Sequence, residues 1–121
     1  MIEYVIIILI MVESGGNPNT PGDGGNAIGV LQITPIMVDD VNRIAGYPVF
    51  SYNDRYDVEA SKEMARIYFT HYGQGKTRQQ LYRLWSGGPD GDRQECTLDD
   101  LRKCLEMESY NPPPTDQETE K

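Results

Sequence analysis

The chain has 121 residues, 38% of them hydrophobic, and 19 acidic against 11 basic side chains give a formal net charge of -8. That is the size of one ordinary domain with enough apolar surface for a core. The acidity, with no dense Lys/Arg cluster, excludes the usual electrostatic footprint of a nucleic-acid binder.

The first element, Tyr4 to Val12 (YVIIILIMV), is too short to span a bilayer and lacks the positive start and small-residue cleavage site of an export signal. It predicts a buried helix, with a buried strand as the competing reading because of its β-branched isoleucines. Residues 14–34 are dense in Gly, Pro and Asn and read as loop or short hairpin. Pro35 then opens a helix to about Ala45, with Thr34 as N-cap and Gly46 as stop. A turn from Tyr47 to Asn53 follows. The segment Asp57 to Tyr72 carries Met64, Ile67, Tyr68 and Tyr72 at helical spacing before Gly73. A shorter helix, Gln79 to Trp85, breaks at Ser86-Gly87-Gly88-Pro89, and a last one runs from Leu98 to about Met107 behind a Thr97/Asp100 capping box.

These elements predict a mainly α domain over residues 1–105. The remainder, 106–121, is acidic and Pro-rich and cannot repay the entropy of ordering, so it is expected to be a disordered tail. Cys96 and Cys104 fall in a stretch that reads as helical, where eight residues separate Cα atoms by about 12 Å, too far for a disulfide. Both are expected to be free thiols.

Several constellations exclude themselves. The glycines from Gly22 to Gly29 could cradle a phosphate, but no Gly-Lys-Ser/Thr follows and Lys62 is the first lysine. Asp57, Glu59 and Glu63 fit a solvated helix face near a cap better than a cation site. His71 is the single histidine, without Cys or acid at ligand spacing, so no metal and no other cofactor is expected. Glu13 is different, because it ends a strongly apolar element. A carboxyl held against apolar surface resists ionising and can serve as a general acid.

Three stretches set Glu13 in context: Glu13-Ser14-Gly15-Gly16-Asn17-Pro18, Gly29-Val30-Leu31-Gln32-Ile33 and Trp85-Ser86-Gly87-Gly88-Pro89. In order and spacing they resemble the motifs of lysozyme-like lytic transglycosylases, and Tyr52 to Gly73 is similar to the helix before the third motif. The resemblance covers about residues 3–91. It implies a two-lobed lysozyme-like fold, with the cleft between the early loop and the later helices, and Glu13 as acid/base for the bond between N-acetylmuramic acid and N-acetylglucosamine in peptidoglycan. It also implies that Ser14, Gly29, Gln32, Trp85 and Ser86 bind the substrate, with Gln32 and the backbone around Gly29 lining the sugar cleft. Ser86 stands where the third motif commonly has Asn. Trp85, with Tyr68 and Tyr72, could stack on sugar rings or form plain core.

A second resemblance, of Gly22-Asp23-Gly24-Gly25-Asn26 to a stretch of goose-type lysozymes, nominates Asp23 as the carboxylate that activates water in an inverting hydrolase. Alternatively Asp23 is a turn residue making local backbone bonds. Three readings stay open: a transglycosylase giving a 1,6-anhydro product, a muramidase using Glu13 and Asp23, and an inactive glycan-binding or virion-structural module. The expected partner is the glycan strand, met by a monomer at the cell wall, without nucleic acid or stable membrane insertion. Phage delivery would account for the missing export signal.

Overall fold

The computed structural model describes residues 1–22 and 26–113. Among these residues five α-helices carry the fold: α1 Ile2–Glu13, α2 Pro35–Ala45, α3 Val58–Tyr72, α4 Arg78–Gly87 and α5 Leu98–Tyr110. One small antiparallel hairpin, β1 Pro21–Gly22 with β2 Ala27–Ile28, pairs Pro21 with Ile28 and Gly22 with Ala27. The mainly α expectation holds, and the Gly-rich segment contributes the hairpin. No helix among the described residues is long and apolar enough to cross a membrane.

The opening run is a helix despite its isoleucines. Val5, Ile6, Ile8 and Leu9 are fully buried, while Ile2, Tyr4, Ile10 and Val12 pack partly buried against the same core. Burying each such side chain contributes roughly 1.5–3 kcal/mol, against a few tenths lost per β-branched residue in helix propensity. Tertiary burial therefore decides the conformation. Helices α3, α4 and α5 all contact α1.

Local signals fix the other helices. The Thr34 hydroxyl accepts from the Met37 amide (3.3 Å), Pro35 occupies the first turn, and Gly46 ends α2 at φ 91°. The Asn42 side chain exchanges two 3.0 Å bonds with the Phe50 backbone, closing the following turn over α2. A 3-10 turn, Tyr52–Tyr56, leads into α3, which is capped by Asp57 accepting from Ala60 (2.9 Å). Helix α4 starts at a reciprocal Thr77/Gln80 capping box and runs to Gly87, past the Trp85 boundary that the sequence suggests.

Two expectations about the C-terminal part are corrected. The Thr97/Asp100 box does not form, because Thr97 is buried. Its hydroxyl lies 2.8 Å from the Gly91 carbonyl and 2.7 Å from that of Gln94, and accepts from Arg83 Nε at 2.8 Å, so it ties α4 to the loop before α5. The second concerns the end of the last helix, expected at about Met107. Helix α5 continues to Tyr110 because Glu108, only 9% exposed, accepts from Arg78 Nε (2.6 Å) and the Tyr82 hydroxyl (2.6 Å). The Tyr4 hydroxyl donates to the Asn111 carbonyl beyond the helix end. The expected tail from Pro114 onward lies outside the described residues.

Both cysteines are free; Cys104 is buried in α5, whereas Cys96 is exposed in a 3-10 turn, Glu95–Thr97, just before it. Burial pushes the Cys104 thiol up to about 12, and the nearby Glu13 charge adds to the shift.

Replacing Glu108 with Ala leaves the Tyr82 hydroxyl and the Arg78 guanidinium without their shared acceptor. A loss of about 2 kcal/mol is expected, lowering the melting temperature by roughly 8 °C in thermal denaturation, with a smaller drop for Glu108→Gln.

Candidate active site

Glu13 is the last residue of α1, and the chain turns away from the helix through Gly15 (φ 65°) and Gly16 (φ 92°). Ser14 makes this end rigid. Its hydroxyl lies 2.8 Å from the Val30 carbonyl and 3.0 Å from that of Ile10, and it accepts from the Gly16 amide at 3.0 Å. The end of α1 is thereby joined to the loop that carries the second motif. Glu13, half-buried, faces a cleft of about 780 Å³.

The second-motif loop is closed on itself. Ile28 and Ile33 exchange both backbone bonds (3.2 and 3.0 Å), and within the closure Gly29 has φ 87° and Gln32 φ 51°. The left-handed region costs a non-glycine residue about 1–2 kcal/mol, so Gln32 needs compensation. Its side-chain amide supplies it, donating to the carbonyls of Thr20 (2.9 Å) and Gly29 (3.0 Å). A Cβ on Gly22 would displace the Gln32 amide, whose oxygen fills that space. Gly29 is required twice, by its φ and because a Cβ would strike the Arg55 carbonyl.

Arg55 holds the loop from behind. Although 8% exposed, it donates to the carbonyls of Asn26 (2.9 Å), Ile33 (3.0 Å) and Tyr52 (2.8 Å). Its own carbonyl accepts from Ser61 Oγ at 3.0 Å. A Gly-rich loop has few side chains with which to satisfy its backbone, and a buried guanidinium fills that need with several donors in one plane.

Trp85 at the base of the cleft is 6% exposed and donates from Nε1 to the Leu31 carbonyl (3.3 Å). Its ring meets Tyr68 edge-on at 5.5 Å and Phe69 at 5.4 Å, and Tyr68 meets Tyr72 at 4.9 Å. Tyr68, Phe69 and Trp85 are principally core, with Tyr72 partly buried against them. Only Tyr68 and Trp85 reach the cleft lining. Ser86 sits on the rim, exposed, with its hydroxyl directed at the Tyr82 and Arg83 carbonyls of its own helix (3.4 and 3.3 Å).

The facing wall is α2. Asp39, Asp40 and Arg43 line it, and Asp100 of α5 also reaches the cleft. Asp40 accepts from the Tyr72 hydroxyl (2.7 Å) and from Arg43 (2.7 and 2.9 Å), while Arg43 also donates to that hydroxyl (2.9 Å). Burial works against ionisation of Asp40, but the bonds from Tyr72 and Arg43, with the charge of Arg43, outweigh it and hold the carboxyl below its ordinary range. Asp39 accepts from the Tyr52 hydroxyl at 2.8 Å.

The structure therefore brings Glu13, Gln32, Trp85 and Ser86 to one cleft, while Ser14 and Gly29 stand behind its walls and hold them. Asp23 lies outside the described residues. The sequence reading missed Asp39, Asp40, Arg43 and Asp100 as cleft residues, whereas Tyr68 stood in it beside Trp85 as a sugar-stacking or core residue. One signal was available: Asp40 and Arg43 are three apart on the helix that directly follows the Gln32 motif. Among the described residues, no group of three or more His, Cys, Asp or Glu is placed to hold a metal ion.

The family model of the transglycosylase SLT domain matches residues 1–85, from the start of the chain through Trp85. No curated protein and no solved structure matches the chain.

Gly15 and Gly29 separate backbone strain from collision. Both have positive φ, but a Cβ on Gly15 meets nothing within 4 Å. Gly15→Ala is expected to cost about 1 kcal/mol in urea denaturation, and Gly29→Ala, which must also displace the Arg55 backbone, at least twice as much.

Proposed function

Because the chain belongs to the transglycosylase SLT family, whose members are lytic transglycosylases acting on peptidoglycan, we propose that Glu13 is its catalytic acid and base. The chain is an enzyme of the glycosidase type directed at the cell wall. The observation that carries the assignment is the position of Glu13, half-buried at the stapled end of a buried apolar helix and facing a cleft of about 780 Å³.

The reaction needs one proton carrier used twice. Protonated Glu13 donates to the glycosidic oxygen between N-acetylmuramic acid and N-acetylglucosamine. The C1–O bond breaks, the N-acetylglucosamine unit leaves with a free 4-hydroxyl, and positive charge develops at C1 of the muramic acid. Its 6-hydroxyl then attacks C1, forming the new C1–O6 bond, and returns the proton to the Glu13 carboxylate. No water is consumed. The product carries a 1,6-anhydro end, and the enzyme regains its starting protonation state.

The wall around Glu13 supports this reading by being rigid where the sugar must be held. The closed 28–33 loop, with Gln32, Ser14 and Arg55 satisfying its carbonyls, is a preorganised wall rather than one ordered by substrate. Across the cleft, Asp40 is already engaged by Tyr72 and Arg43, so its assigned role is to fix the wall.

Glu13→Gln keeps the side-chain shape but cannot donate the proton. It is expected to leave less than a tenth of wild-type activity on purified cell walls, with melting little changed. Mass spectrometry of the released muropeptides is expected to show 1,6-anhydro ends, lighter by one water than reducing ends. Asp23→Asn is expected to lower turnover less than about tenfold, whereas loss of a water-activating carboxylate would cost about 10²- to 10⁴-fold. Reducing ends from an enzyme crippled by Asp23→Asn would establish the hydrolase instead.

A further inference from the structure

Tyr52 opens the 3-10 turn between α2 and α3, and the residue is 48% exposed, yet it is held at several points. Its hydroxyl donates to Asp39 Oδ1 at 2.8 Å. The Arg55 guanidinium lies over the ring, 5.8 Å from its centroid, and Arg55 Nε donates to the Tyr52 carbonyl at 2.8 Å. Arg55 is itself fixed by Asn26 and Ile33. Tyr47 and Tyr56, 66% and 49% exposed, make no comparable side-chain hydrogen bond or cation contact among the described residues. An exposed tyrosine gains little stability from being immobilised, because water satisfies its hydroxyl as well as Asp39 does. A fixed exposed ring instead lowers the entropy cost of binding something against it.

The place of this ring supplies the ligand. Asp39 lines the cleft, while Tyr52 stands just outside the lining, so the anchor of the ring is also the edge of the substrate site. We propose that Tyr52 is an aromatic platform for a sugar ring of the glycan strand where the strand leaves the cleft, an inference that rests on the glycan-cleaving reading above. A hexosamine ring has a face of C–H groups that packs on an aromatic face and a rim of hydroxyl and amide groups that needs acceptors. Tyr52 provides the first, and the exposed carboxylate of Asp39 beside it provides the second. The guanidinium of Arg55 backs the ring on one face, and the residue stays half exposed for a sugar to approach. A strand confined to the cleft does not meet Tyr52, so the platform acts on long strands and not on short ones.

The test is equilibrium binding by calorimetry of long, peptide-free glycan strands and of a tetrasaccharide cut from them. The full chain carries Glu13→Gln so that neither ligand is consumed. Adding Tyr52→Ala is expected to weaken binding of long strands about tenfold, the usual scale for truncating an aromatic anchor, and to leave the tetrasaccharide within about twofold. Tyr52→Phe, which keeps the ring and loses its tether, is expected to fall between, and Tyr56→Ala to have no effect. A change below about twofold for long strands would overturn the platform alone. An equal loss for both ligands would also overturn it, by showing that Tyr52 only supports the cleft. Failure of the parent Glu13→Gln chain to bind either ligand would overturn the glycan reading together with it.

Discussion

A helix that is apolar on nearly every side is stable in water only if other elements surround it, and α1 imposes that condition on the whole chain. Its buried face and its partly buried flanks together require α3, α4 and α5 as neighbours, so the central position of α1 fixes the arrangement of the helices around it. The same burial fixes where its last residue emerges. Glu13 reaches the cleft because the core holds the helix that ends there, and an error in the packing of Ile6, Ile8 or Leu9 would displace the carboxyl along with the helix.

The second constraint is the backbone of the Gly-rich segment. Glycine permits the sharp turns at Gly29 and beyond Glu13 but contributes no side chain to satisfy carbonyls. Ser14, Gln32 and Arg55 supply the donors from three different parts of the chain, and Trp85 adds one more to Leu31. The cleft wall is thus held largely by side chains donating to main-chain oxygens. Within it, Ser14 and Gly29 act on the shape of the wall, one by joining it to the end of α1 and the other by its backbone. Acidic side chains dominate the cleft, where Glu13, Asp39, Asp40 and Asp100 are joined by Arg43 as the opposing charge in the lining. A chain of net charge -8 is not steered electrostatically toward an anionic wall, so recognition rests on contacts within the cleft and is expected to depend little on long-range attraction.

Much of this was legible in the sequence where the signal is local. Thr34, Pro35 and Gly46 delimit α2 as read, Gly73 follows α3 as read, and the apolar run is a helix because its length and composition require burial. The motif spacing brought Glu13, Gln32, Trp85 and Ser86 to the cleft. What was not legible depends on partners distant in the chain. Thr97 has the sequence of an N-cap, but Arg83 and the Gly91 carbonyl claim its hydroxyl first. Glu108 looked like part of an acidic tail because nothing local shows that Arg78 and Tyr82, thirty and twenty-six residues earlier, lie beside it. The α2 wall of the cleft depends likewise on how α2 packs against α3, which brings Tyr72 to Asp40 and Arg43. Periodicity cannot contain that information.

The central claim is that the carboxyl at the end of α1 meets the glycosidic oxygen of a strand bound in the cleft. The most direct measurement is a crystal structure of the Glu13→Gln chain with a peptidoglycan tetrasaccharide. The account predicts a strand seated between the 28–33 loop and α2, with a glycosidic oxygen about 2.6–3.2 Å from the side chain at position 13. A strand bound on another face, or one whose glycosidic oxygens all lie beyond hydrogen-bond reach of that side chain, would contradict it.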